Sequence, residues 1–310
     1  MNIKYGKKIE KNEVNQINFD LFLFANNIEK RKLTAYQNII INNSISSTFA
    51  LCYSENFEEN YKDITNVYVR EISDIYDILN SVFSSQKKEF NIFVDYSCMT
   101  KPWYYSILNY LVNTKLDSQI VNAYFSYTPS IYSEPLPPKQ NTKIEPLPGN
   151  YKISNHKPKA LIVCLGYEQN KAQGIIDQLD PSLTYIFYTD PAIDSRFVEQ
   201  VKNNNSDILR LVPESNVIKY PFSDILFLER ELMSLYYLLK DDYNIIIAPL
   251  GPKPFTLVSM VLSVIYKEIE IWRVDGGFDI NKYERKPIVP TELIINKIAF
   301  ENEDLIGIVP

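Results

Sequence analysis

The chain has 310 residues, 45% of them hydrophobic and 23% charged, with a net charge of −6 and a pI near 5.1. The length suits two domains of ordinary size, and the composition excludes a largely disordered chain. No basic stripe is dense enough for duplex nucleic acid, no run of about 18 apolar residues offers a membrane span, and no apolar segment follows the basic N-terminus as a signal peptide would require.

Two residue counts narrow the chemistry. The three cysteines, Cys52, Cys98 and Cys164, lie in or beside apolar runs and form no CxxC pair. They read as buried reduced thiols of a cytoplasmic protein rather than as a disulfide framework or a zinc site. The single histidine, His156, lies in a proline-rich segment, which excludes an HExxH site, a multi-histidine metal centre and a Ser-His-Asp triad at a domain core. Acid-base work falls to carboxylates, lysines or tyrosines.

In chain order, residues 19–24 (FDLFLF) predict a strand buried on both faces and 32–41 a helix. Residues 47–54 and 66–72 predict strands. Residues 72–83 show helical spacing of Ile72, Ile75, Tyr76, Ile78, Leu79, Val82 and Phe83. A strand over 90–97, a helix over 103–112 and a strand over 119–127 complete an α/β half spanning residues 1–127. Seven of the 18 prolines fall between Thr128 and Pro158, so 128–158 reads as a proline-rich linker.

The pattern then restarts and defines a second half, 159–310. Strands are expected over 159–166 and 183–189, and helices over 170–179 and 195–205. Residues 207–213 and 216–221 read as short strands or turns. An amphipathic helix covers 227–240, and strand, helix and strand follow over 243–250, 255–266 and 269–274. After a loop, 291–300 predicts a last strand or pair of strands.

The halves share more than a pattern. FANNIEKRK (Phe24 to Lys32) aligns with VCLGYEQNK (Val163 to Lys171) without a gap, so that Glu29 falls on Glu168 and Lys32 on Lys171. NIFVDYSCMTKPW aligns with NIIIAPLGPKPF with one gap, so that Lys101-Pro102-Trp103 falls on Lys253-Pro254-Phe255. NAYFSY lies roughly over EIWRVD. The expected architecture is two Rossmann-like parallel-sheet halves related by internal duplication, facing each other as a pseudo-dimer.

Ligands of open parallel sheets sit beyond the carboxyl ends of the strands, where the repeated loops lie. Pro102 and Pro254 suit the first helical position, which puts Lys101 and Lys253 at the N-caps. A cation there opposes the helix dipole unless an anion is bound, whereupon N–H groups, dipole and ammonium act together. The pair therefore reads either as a twin anion cradle, helped by Thr100, or as two solvated helix starts. Asp95 reads as a ligand or catalytic carboxylate or as a loop cap. Glu29 and Glu168 read as pocket residues or as favourable first-turn acids. Arg273 offers a second positive group, Trp272 a stacking face or a core ring, and Tyr127 and Tyr167 surfaces for a base. Cys98 has no histidine to activate it.

These residues also resemble a family. FVDYSCMTKPWYYSIL is similar to the strand-loop-helix of CARF-type Rossmann domains, the nucleotide sensors of prokaryotic defence systems. There a Thr-Gly-Gly-Thr-Lys-like loop contacts the phosphates and ribose of a cyclic oligonucleotide. Thr100 and Lys101 fit its last two positions and Ser97 stands in for the first, whereas Cys98 and Met99 replace the glycines. In the second half only Gly251 and Lys253 match, with Pro252 in place of the threonine. Gly166 joins the expected ligand-binding set from the other repeated loop. The resemblance implies a stand-alone nucleotide-sensing module in anti-phage defence, acting on a partner protein or as a homo-oligomer. The alternative is an enzyme acting on nucleotides or nucleosides through Asp95, Glu29 or Glu168. No metal is expected, and no cofactor beyond a nucleotide ligand.

Overall fold

The computed structural model describes residues 1–55, 59, 61–85, 87–118, 120–150, 156–275 and 284–302. The chain forms two α/β units. One comprises Met1–Ile131 with the described residues from 284 onward, and the other the described residues between Tyr132 and Asp275.

The first unit runs β1 (Asn2–Ile9), β2 (Asn18–Phe19), β3 (Leu21–Asn26), α1 (Thr34–Ile39), β4 (Ser44–Ile45), β5 (Thr48–Cys52), β6 (Thr65–Tyr68), α2 (Ile72–Phe83), β7 (Glu89–Asp95), α3 (Lys101–Asn113) and β8 (Ile120–Tyr127). The second runs β9 (Lys143–Pro146), β10 (Lys159–Cys164), α4 (Lys171–Leu179), β11 (Leu183–Thr189), α5 (Ser195–Asn204), α6 (Ser206–Leu211), β12 (Val217–Tyr220), α7 (Ile225–Leu239), β13 (Asn244–Pro249), α8 (Lys253–Ile265) and β14 (Glu270–Asp275). The last strand, β15 (Ile294–Glu301), returns to the first unit.

Each sheet has five parallel strands in the same order. They are β6-β5-β3-β7-β8 in the first unit and β12-β11-β10-β13-β14 in the second. Numbered within each unit, both orders are 3-2-1-4-5, the doubly wound arrangement. The chain reverses direction across the sheet between β3 and β7, and again between β10 and β13. Parallel strands need cover on both faces, and both units provide it. In the first, Phe22, Phe24 and Phe93 pack with Ala35 and Ile39 of α1 on one face. On the other, Phe83 of α2 meets Phe90 at 4.8 Å between ring centroids. In the second, Leu161, Val163, Ile186 and Ala248 pack with α4 and α5 on one face. On the other, Phe255 of α8 meets Phe187 at 5.5 Å.

Strand register confirms two of the three sequence matches. Phe24 lies opposite Asp95 and Val163 opposite Ala248, as the alignment of β3 with β10 and β7 with β13 requires. The third match shifts by two residues. Phe93 faces Tyr124, whereas its counterpart Ile246 faces Glu270, so Tyr124 rather than Asn122 is the counterpart of Glu270. A shift of two leaves each side chain on its expected face.

The boundaries differ from the sequence expectation. The second half does not extend to the C-terminus, because β15 inserts antiparallel between β8 and β1. Without it the edge of β8 would stand open along a strand whose every residue from Val121 to Tyr127 is buried. The expected linker is not wholly a connection either. Within it, β9 forms an antiparallel edge on β14, and Asn141 and Ile144 clasp α4 through bonds to the Asn170 carbonyl (3.2 Å) and from Gln178 (3.0 Å). Residues 207–213, read as strand or turn, fall largely in α6, which buries Ile208. The N-terminal strand β1 escaped notice because its lysines mask the alternation of an edge strand. The glycine-containing loop after Asp275 lies outside the described residues, as do parts of 128–158.

The return of the C-terminal strand sets a stability prediction. Phe300 is fully buried although it stands ten residues from the chain end. Phe300→Ala is expected to destabilise the first unit by about 3–5 kcal/mol, read as a lower urea midpoint.

Candidate functional site

The carboxyl ends of β3, β7 and β8 meet at the switch point of the first sheet, and the loops there are knotted by one side chain. Arg31, 1% exposed, is among the largest fully buried side chains of the described residues. Its Nε donates to Glu29 Oε2 at 2.6 Å, Nη1 to the Thr128 carbonyl at 2.9 Å and Nη2 to the Ser97 carbonyl at 2.9 Å. The guanidinium also lies 5.4 Å from the centre of the Tyr127 ring. Burial alone would favour loss of its proton, but the facing Tyr127 and Glu29 side chains outweigh that, and its pKa lies above the ordinary arginine value. Arg31 thus joins the loop after β3, the loop after β7 and the end of β8.

The loop after β7 is held at further points. Asp95, 1% exposed, accepts through Oδ1 from the Ser97 backbone N–H at 3.0 Å and from the Ser97 hydroxyl. Ser97 Oγ in turn accepts from the Thr128 N–H at 2.7 Å. Tyr53 donates to the Cys98 carbonyl at 2.7 Å and stacks on Trp103 with centroids 4.2 Å apart. Burial pushes the Tyr53 phenol pKa well up, so it remains a neutral donor. Asp95 therefore caps the loop, one of the two roles the sequence left open.

Around this knot Asn27 Nδ2, Ser126 Oγ and Thr128 Oγ1 are buried without a hydrogen-bond partner among the described residues. Asn27 is already half engaged, its Oδ1 accepting from the Glu29 N–H at 3.0 Å. Polar groups shut away from water without partners are costly, and their gathering at a switch point singles the place out.

The lysines stand one position further into their helices than expected. Thr100 (φ −73°, ψ 157°) and Pro252 (φ −59°, ψ 145°) hold the extended N-cap conformation, Lys101 and Lys253 begin α3 and α8, and Pro102 and Pro254 come second. Both lysines keep their place in the first turn, next to the dipole's positive end. Thr100 makes no side-chain cap; its hydroxyl instead bonds the Tyr53 side chain.

Other expected site residues have local duties. Glu29 pairs with Arg31, and Glu168 with Lys171. Lys32 pairs with Glu59 at 3.1 Å. Arg273 faces Glu145 across the β14–β9 pair and bonds it at 3.2 Å, which assigns it to the sheet edge. Trp272 donates to Glu270 at 2.8 Å and packs on the core. Gly166 and Gly251 allow the loops after β10 and β13 to touch backbone to backbone. A Cβ on Gly251 would lie 2.8 Å from the Leu165 carbonyl and against Cys164 Sγ, and one on Gly166 would strike the Leu250 carbonyl. Their absent side chains serve loop packing.

Arg31 and Thr128 were not singled out in the sequence. An arginine two residues after a glutamate in a turn looks like any solvated pair, and Thr128 opens a proline-rich stretch. The three cysteines are buried and in no disulfide. Among the described residues no group of three or more His, Cys, Asp or Glu side chains is placed to hold a metal, and no helix is long and apolar enough to cross a membrane. A recess of about 350 Å³ lined by Ser46–Phe49 and Asp63–Thr65 lies at the amino ends of β5 and β6, the edge away from the knot. No protein-family model matches the sequence, and no curated protein does so either.

Two variants test this geometry. Arg31→Met leaves a buried carboxylate and two carbonyls unmatched and is expected to cost about 3–5 kcal/mol, part of it recovered by adding Glu29→Gln. Gly251→Ala should cost about 1–3 kcal/mol through the clash with Leu165 and Cys164. Urea unfolding of the single and double variants measures both.

Proposed function

We propose that the chain is a binding module for a small phosphate-bearing, nucleotide-like ligand, held at the strand ends of the first unit and signalling through a partner protein. The observation that carries this reading is the knot itself. A loop of the form Ser97-x-x-Thr100-Lys101 leads into a helix start and is fixed by Arg31, Asp95 and Tyr53 before any ligand arrives. A helix start reached through such a loop suits an anion, because its first N–H groups and the positive end of the dipole face the loop. Lys101 adds a charge to that turn, and Thr100 a hydroxyl. The resemblance to CARF-type domains supports a nucleotide as the ligand and defence signalling as the setting.

A second reading rests on the Ser97–Asp95 contact, in which a hydroxyl donates to a buried carboxylate as a nucleophile does to its base. The same oxygen also accepts from the Thr128 N–H, which favours a fixed structural role. Turnover separates the two readings.

Thermal unfolding is the direct test, run against mononucleotides, dinucleotides, cyclic oligonucleotides and inorganic phosphate. A ligand at 100-fold over its dissociation constant stabilises by about 2.7 kcal/mol, so a true ligand gives a clear rise in midpoint. Lys101→Ala should lose most of that rise, and chromatography should show the ligand unchanged after incubation. No rise with any compound contradicts the binding reading, and a product that disappears in Asp95→Asn favours the enzyme.

A further inference from the structure

The two units share strand order and register, yet the volume at their strand ends is filled in opposite ways. Register makes Asp95 the counterpart of Ala248, Ser126 of Trp272 and Thr128 of Val274. The loop matches add Asn27 against Gly166 and Ser97 against Leu250. All five residues of the first unit are polar, and all five of them are buried. In the second unit Ala248 and Val274 belong to one hydrophobic cluster, with Leu250 and Trp272 packed against it, and the Gly166 and Gly251 backbones close the gap between the loops.

We infer that the first unit alone binds the ligand, one molecule per chain, and that Asn27, Ser126 and Thr128 are kept polar to receive its hydroxyl or phosphate oxygens. This rests on the binding function proposed above. Asp95, Ser97 and the Asn27 oxygen tie the loops, but the second copy packs apolar side chains where Ser126 and Thr128 stand, so the fold does not itself require their hydroxyls. Retaining them lowers stability, and a ligand that supplies the missing partners offsets that loss. The three unpartnered atoms are closed to solvent. They meet a ligand when the loops after β3 and β7, which Arg31 spans, move apart. Among the described residues the second unit has two buried side-chain atoms without a partner, the Thr256 hydroxyl within α8 and Asn141 Oδ1 on the stretch before β9, and neither belongs to a strand-end counterpart of Asn27, Ser126 or Thr128. The lysine of α8 is then an inheritance of the duplication without a site beneath it.

Thr128→Val makes the decisive variant, since it removes the hydroxyl while nearly keeping the shape. Calorimetric titration of the full chain would use adenosine 5′-monophosphate and inorganic phosphate as probes, with Lys101→Ala and Lys253→Ala in parallel. One nucleotide per wild-type chain is expected. Lys101→Ala and Thr128→Val should each weaken binding at least tenfold, and Lys253→Ala less than twofold. Thr128→Val should also unfold at the wild-type temperature or above it, which a merely structural hydroxyl would not show together with lost binding. Two molecules per chain, equal effects of the two lysines, or unchanged binding by Thr128→Val would overturn the inference and leave the binding function standing. Failure of both probes on wild type would overturn both.

Discussion

The first unit depends on a buried arginine. Removing a guanidinium from water costs several kcal/mol, and the charge is tolerated only where its donors are matched. Arg31 has that match in the Glu29 carboxylate and the carbonyls of Ser97 and Thr128. The same three contacts decide where three chain segments end relative to one another. A charged hub of this kind adds less to stability than an apolar core would. What it adds is a defined loop geometry, and the loop it defines leads into the first turn of α3.

Duplication explains why the rest of the architecture is so regular. Two units with the same parallel order and matching registers at β3–β7 and β10–β13 carry antiparallel additions on the same flank, β15 with β1 in one and β9 in the other. The copies have since diverged in content. Where Asp95, Ser126 and Thr128 make a polar end to the first sheet, Ala248, Trp272 and Val274 continue the core of the second. The lysine and proline that begin α3 and α8 remain common to both copies.

Much of this was legible in the sequence, and the limits have physical causes. Continuous apolar runs such as Leu21–Ala25 announce strands buried on both faces, and the spacing in 72–83 announces α2, because burial and periodicity are local properties. The Lys-Pro-aromatic repeat marks β13 as the counterpart of β7. Sheet membership of a distant strand is not local, so β15 was assigned to the wrong unit, and β9 was hidden among prolines. The site was half legible. Thr100, Lys101, Ser97 and Asp95 follow from a loop pattern. Arg31 and Thr128 acquire meaning only when folding sets them around one point, and Gly166, Gly251 and Arg273 turn out to serve loop packing and the sheet edge.

Hydrogen exchange of the full chain, with and without adenosine 5′-monophosphate, would locate the bound ligand. With binding confined to the strand ends of the first unit, exchange slows in peptides covering residues 26–33 and 95–104 and is unchanged in residues 165–171 and 249–256. Slowed exchange in the second pair of segments, alone or equally with the first, would contradict that confinement.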